Sequence, residues 1–172
     1  MNRKVSTLIA AGAMLALVVP AHAAIYTLTA NLDSSQETNN NGSPATGFAT
    51  GTLDDLTGQI LMTLSYTGLT SNATAAHIHG LAGPGVNAAV ILPFTVSGGT
   101  TGTGTLNGVL SALNVQGLLS GLTYVNVHDA QFPGGEIRGQ VSATASVPGP
   151  VAFLPFAGGL VAALRRRRRK AS

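Results

Sequence analysis

Apolar side chains recur at every second position through most of residues 25–143, and that period constrains the fold more than any other feature of the chain. Tyr26, Leu28, Ala30 and Leu32 form one such series, and Ile60, Met62, Leu64 and Tyr66 another. Successive side chains of an extended strand point to opposite faces, so these runs describe strands with one buried side. Clusters of Gly, Asn, Pro and Asp cut the pattern into strand-length pieces. The expected strands are 25–32, 46–53, 59–67, 73–79, 88–96, 124–128 and 136–143, with 54–58 as a hairpin turn. The segment 88–96 is the most continuously apolar and is expected at the centre of a sheet. Residues 97–104 read as a Gly/Thr loop. Residues 105–119 are ambiguous, with room for a short helix or one turn around 109–113, because Gly108 and Gly117 limit anything longer. Residues 142–146 read as a small-residue linker. The expected fold is all-β, a Greek-key β-sandwich of about seven to eight strands.

Both ends of the chain are of a different kind. Arg3 and Lys4 precede an uncharged apolar run from Val5 to Val19, then Pro20 and Ala21-His22-Ala23. This is the pattern of a secretory signal peptide over 1–23, with signal peptidase cutting between Ala23 and Ala24. At the other end stand Val147-Pro148-Gly149-Pro150, an apolar stretch to Leu164, then Arg165, Arg166, Arg167, Arg168, Arg169 and Lys170. As a helix, 151–164 would span roughly 21 Å against a hydrocarbon core of about 30 Å, a marginal transmembrane helix. A basic run directly behind it resists translocation and leaves the tail inside. The tripartite pattern of 147–172 resembles the PEP-CTERM sorting signal, with Gly149 where that signal usually has Glu. The resemblance implies export, a transient hold in the inner membrane and cleavage near the Pro motif by an exosortase.

With the two ends set aside, the balance of charge inverts. The whole chain carries +3, but between Ala24 and Ser146 the single basic residue, Arg138, faces Asp33, Glu37, Asp54, Asp55, Asp129 and Glu136, a net of about −5. An acidic body disfavours a nucleic-acid partner, because phosphate binding needs a basic surface. The chain has no cysteine, which removes disulfides, thiolate metal sites and cysteine nucleophiles. A body of about 123 residues suffices for one two-layer core.

The chemistry-bearing residues sit in two motifs, Ala75-Ala76-His77-Ile78-His79-Gly80 and Tyr124-Val125-Asn126-Val127-His128 followed by Pro133-Gly134-Gly135-Glu136-Ile137-Arg138-Gly139-Gln140. In a strand, His77 and His79 share a face, as do Tyr124, Asn126 and His128. If His128 pairs with Glu136, then Asn126 pairs with Arg138 and the four polar groups line one side. Three imidazoles and a carboxylate on one sheet surface suit copper or zinc, with His77, His79, His128 and Glu136 as ligands and Asn126 and Arg138 behind them. Protonation below about pH 6 would release the ion. The same side chains also serve as hydrogen-bonded structural groups if the strands do not adjoin.

Together the two motifs resemble the CHRD domain, over roughly 25–141, within a body taken as 24–146. The resemblance implies an extracellular β-sandwich-like module without a settled activity. The His-x-His strand is also similar to copper/zinc superoxide dismutase. There His77, His79 and His128 would hold copper and Arg138 would attract the anion, but a fourth histidine, a bridging ligand and the disulfide are missing. No Gly-x-Ser-x-Gly elbow or paired carboxylates suggest a hydrolase. The expectation is a non-enzymatic module at the cell surface or in the extracellular matrix. Its partners would be a divalent metal, an extracellular polysaccharide or matrix proteins.

Overall fold

In the computed structural model, which describes residues 23–146, the alternating runs are strands. They are β1 (Ile25–Asp33), β2 (Thr46–Asp54), β3 (Gln59–Thr67), β4 (Ala73–Gly80), β5 (Val90–Gly98), β6 (Gly102–Val109), β7 (Thr123–Asp129), β8 (Ile137–Gln140) and β9 (Ser142–Ala145). One helix, α1 (Ala112–Leu119), separates β6 from β7. The expected signal peptide and the sorting segment 147–172 lie outside the described residues, apart from Ala23. No helix of the described residues is long and apolar enough to cross a membrane.

The architecture is a closed antiparallel barrel, not the expected sandwich. The order is β2-β3-β6-β5-β4-β7-β8-β1, and β1 returns to pair with β2 over its whole length, from Ile25 opposite Asp54 to Asp33 opposite Thr46. Full closure removes the sheet edges that a sandwich leaves open. The strands β4, β5 and β6 form a meander and β3 lies beside β6, which preserves the expected Greek-key connection. The ninth strand overturns the linker expected at 142–146. Asp33 faces Arg138 and Thr29 faces Ser142 in one continuous register, so β9 prolongs β8 along β1 beyond the break at Val141.

The period-two side chains fill the barrel. Leu28, Leu53, Ile60, Ile78, Val125, Val127 and Ile137 are wholly buried in one cluster. Each such side chain contributes about 1.5–3 kcal/mol on leaving water. The apolar segment at 88–96 departs from expectation. Its strand begins at Val90 and does lie inside the sheet, but Phe94 is its sole buried large side chain and Val90 is 51% exposed. Apolar content there does not translate into two-sided burial.

The ambiguous stretch resolves into the end of a strand and a helix shifted past the expected position. Ser111 caps α1, its Oγ accepting the Asn114 N–H at 3.3 Å. Gly117 lies inside the helix rather than stopping it. A Cβ there would collide with the Leu81 side chain, so the close approach of loop and helix offsets the poor helix propensity of glycine.

One strand differs from the rest: all seven residues of β7 are buried. Val125 and Val127 face the core, whereas Tyr124, Asn126 and His128 face outward beneath loops that follow β1, β4 and β7. This covered outer face carries the two histidine motifs.

Candidate functional site

Side-by-side pairing of β4 and β7 assembles the face. His77 stands opposite Asn126 and His79 opposite Tyr124, while across β7 and β8 Asn126 stands opposite Arg138. Alternation sends Ala76 and Ile78 into the core and leaves His77 and His79 outside with His128. The three ring centroids lie 5.0 to 5.7 Å apart. One ligand nitrogen from each ring falls within 4.8 Å of the other two, so His77, His79 and His128 can hold a metal ion.

Backbone carbonyls orient two of the rings. His79 Nδ1 lies 3.0 Å from the Ala88 carbonyl oxygen, and His128 Nδ1 lies 3.0 Å from that of Pro133. A carbonyl only accepts, so both Nδ1 atoms carry the proton and both Nε2 atoms present a lone pair. His79 Nε2 is buried without a hydrogen-bond partner. His128 Nε2 lies 3.1 Å from His77 Nδ1, which donates to it in the metal-free protein. For His77 to offer Nδ1 as its ligand atom, the ring must move its proton to Nε2. With Zn–N bonds of about 2.0–2.1 Å, tetrahedral ligand nitrogens sit roughly 3.3 Å apart, so the cluster needs only a modest closure.

Burial pushes all three imidazoles below their ordinary range. Desolvation is the main cause at each, with the neighbouring rings and Arg138 adding to it at His79 and His128. His128 is driven to about 4. His128 is therefore neutral well below the pH 6 expected from unperturbed histidine, and proton competition for the ion moves down at all three rings.

Glu136 does not join the histidines. Its carboxylate is wholly buried and accepts from Thr70 N–H at 2.9 Å, Thr70 Oγ1 at 2.8 Å and Ser43 Oγ at 2.6 Å. Its backbone N–H donates to Val127 at 2.8 Å. The hairpin register anticipated from sequence is present, yet the side chain ties together the loops before β2 and β4. Asn126 and Arg138 serve a neighbouring cluster. Arg138 makes a buried ion pair with Glu37 at 3.2 Å, donates to Val86 O at 3.2 Å and to Asn87 Oδ1, and lies 4.0 Å over the Tyr124 ring. Asn126 Nδ2 donates to Glu37 Oε1 at 2.9 Å. Buried and neutralised by Glu37, the guanidinium is not placed to attract a substrate anion, although its Nε has no partner.

The Tyr124 ring joins the two clusters. It stacks on His79 at 5.0 Å with an interplanar angle of 2°, opposite Arg138, and its hydroxyl accepts the Ala88 N–H at 3.1 Å. Sequence reasoning assigned no role to Glu37, Asn87 or Tyr124. For Glu37 a signal existed: a body with one cation among six acids needs a carboxylate partner wherever that cation is buried.

The CHRD domain profile matches residues 28–141, which cover both histidine motifs and the whole barrel face just described. No curated protein and no solved structure matches the chain.

Proposed function

The chain belongs to the CHRD domain family, and from that premise we propose that it is a non-enzymatic binding module holding one copper or zinc ion on His77, His79 and His128. The observation that carries this reading is the buried His79 Nε2, which has no hydrogen-bond partner and shares its surroundings with two further ligand nitrogens. An orphaned buried acceptor is unfavourable by about 1–3 kcal/mol unless something occupies it. The two carbonyl-to-Nδ1 contacts are the usual outer support of metal-bound histidine. When bound, the ion would supply a Lewis-acidic centre with an open position. The chain's own residues orient the rings and shield them under the loops.

The sequence ends support a place outside the cytoplasm. The signal pattern at 1–23 and the sorting pattern at 147–172 favour export, an inner-membrane intermediate, and release to the cell surface or matrix by signal peptidase and exosortase. Extracellular polysaccharide or matrix proteins are the partners this reading favours. An acidic body argues against nucleic acid.

The test is metal content and copper and zinc titration of residues 24–146, which contain every strand of the barrel, beside His77→Ala/His79→Ala. The expected result is one equivalent in the parent and none in the variant, with equal far-UV circular dichroism. A folded parent that takes up neither ion removes the proposal and leaves the histidines structural.

A further inference from the structure

Three imidazole ligands bring no charge to a divalent ion. Among the described residues no carboxylate belongs to the cluster, and each nearby acid is committed elsewhere. Glu37 is paired with Arg138. Asp129, next to His128 in the chain, accepts from Phe132 N–H and from both the N–H and the hydroxyl of Ser71. Glu136 is held by Thr70 and Ser43. An ion at the cluster would therefore keep both of its positive charges in a partly desolvated place, where uncompensated charge is strongly unfavourable. Three ligands also leave a tetrahedral ion one donor short. His79 and His128 are 8% and 9% exposed, and His77 is the more open of the three, so the vacant side of the centre is the side His77 borders.

Resting on the metal reading above, we infer that the loaded centre takes a carboxylate from outside the domain as its fourth ligand, entering past His77. The ion-free body offers such a ligand nothing, since its own charge is about −5 and its one cation is buried against Glu37. Metal and carboxylate thus bind as a coupled pair.

The experiment loads the full chain with Co(II), whose visible bands report coordination, and titrates acetate against a methyl acetate control. The bands shift saturably with acetate alone, and Co(II) affinity rises at least about fivefold in saturating acetate, as reciprocal coupling demands. One equivalent of Co(II) bound with bands and affinity unmoved by acetate overturns this inference and leaves the metal reading standing. Failure to bind Co(II), copper or zinc overturns both. A polygalacturonate arm separates the sources of the carboxylate. A shift at lower carboxylate concentration than acetate identifies an acidic polymer, and the reverse identifies a small free anion. The polymer arm is repeated on residues 24–146, so that polymer held by the arginine run of the tail cannot account for the shift.

Discussion

Replacing Glu37 with leucine should destabilise the domain by about 4 kcal/mol. The ion pair it forms with Arg138 spans 3.2 Å, with the two side chains 5% and 2% exposed. Removing one partner of a buried pair leaves the other charge uncompensated, a loss of about 3–5 kcal/mol. Here the guanidinium keeps the Val86 carbonyl, Asn87 Oδ1 and the Tyr124 ring face, which places the loss near the lower bound. The substitution also strips Asn126 Nδ2 of its acceptor, adding about 1 kcal/mol for an orphaned buried donor. Urea unfolding at pH 7 measures the sum, and about 4 kcal/mol is a large part of a typical stability of about 5–15. The partner substitution should be milder. In Arg138→Met the orphan is a carboxyl whose affinity for protons burial already raises, against the pull of Arg138, so it can take up a proton and become neutral. Arginine has no such escape. Glu37→Leu/Arg138→Met should recover about 3 kcal/mol, because a well-packed apolar pair replaces a buried ion pair with little loss. A loss below about 1 kcal/mol for Glu37→Leu, or a double variant no more stable than that single one, would refute the assignment of Arg138 as a charge dependent on Glu37.

Three further outcomes follow from the same geometry. His128 titrates at about 4 in the folded chain against 6.5 unfolded. The unfolded state therefore binds more protons between those limits, so this contribution is complete above pH 6.5 and lost by about 3 kcal/mol as pH falls to 4. The difference in urea midpoint between parent and His128→Gln, in chelator, isolates it, and a difference independent of pH from 5 to 7 contradicts it. Gly135→Ala should lose about 2–4 kcal/mol in thermal or urea unfolding, because φ is 125° and the added Cβ would lie 2.5 Å from Asn126 Nδ2 and 2.6 Å from Glu37 Oε1. In α1, Leu118→Ala should lose about 2–5 kcal/mol and Leu113→Ala less than about 0.5, since the first is wholly buried and the second 66% exposed. Equal losses at the two positions would contradict the placement of the helix.

The strands were legible because a barrel wall repeats one local rule. Each residue of β3 alternates between core and solvent, so its limits at Gln59 and Thr67 follow from the sequence alone. Closure was not legible. Whether β1 ends as an edge beside β2 or also pairs with β8 depends on residues more than a hundred apart, such as Asp33 with Arg138, and no local pattern encodes that pairing. The same distance hid β9. Ser142, Ala143, Thr144 and Ala145 have the composition of a linker, and only the free side of β1 makes them a strand.

The site divides along the same line. That His77 and His79 share a face follows from strand period, and that Asn126 meets Arg138 follows from hairpin register, so both were readable. The meeting of His77 with His128 required β4 to lie beside β7, with β5, β6 and α1 intervening in the chain. Glu136 shows why register alone misleads. One more rung of the ladder would set it opposite His128 and complete a metal set, but the pairing stops at Val127 and Ile137, where β8 begins, and Ser43 and Thr70 draw the carboxylate to the loops they anchor. What sequence missed in the site comes mostly from loops: Glu37, Asn87 and the carbonyls of Ala88 and Pro133. A loop contributes through backbone atoms that every residue possesses, so the identity of Ala88 or Pro133 carries no trace of the imidazole it orients. The histidines state what a site can hold, while the covering loops decide which nitrogens face it.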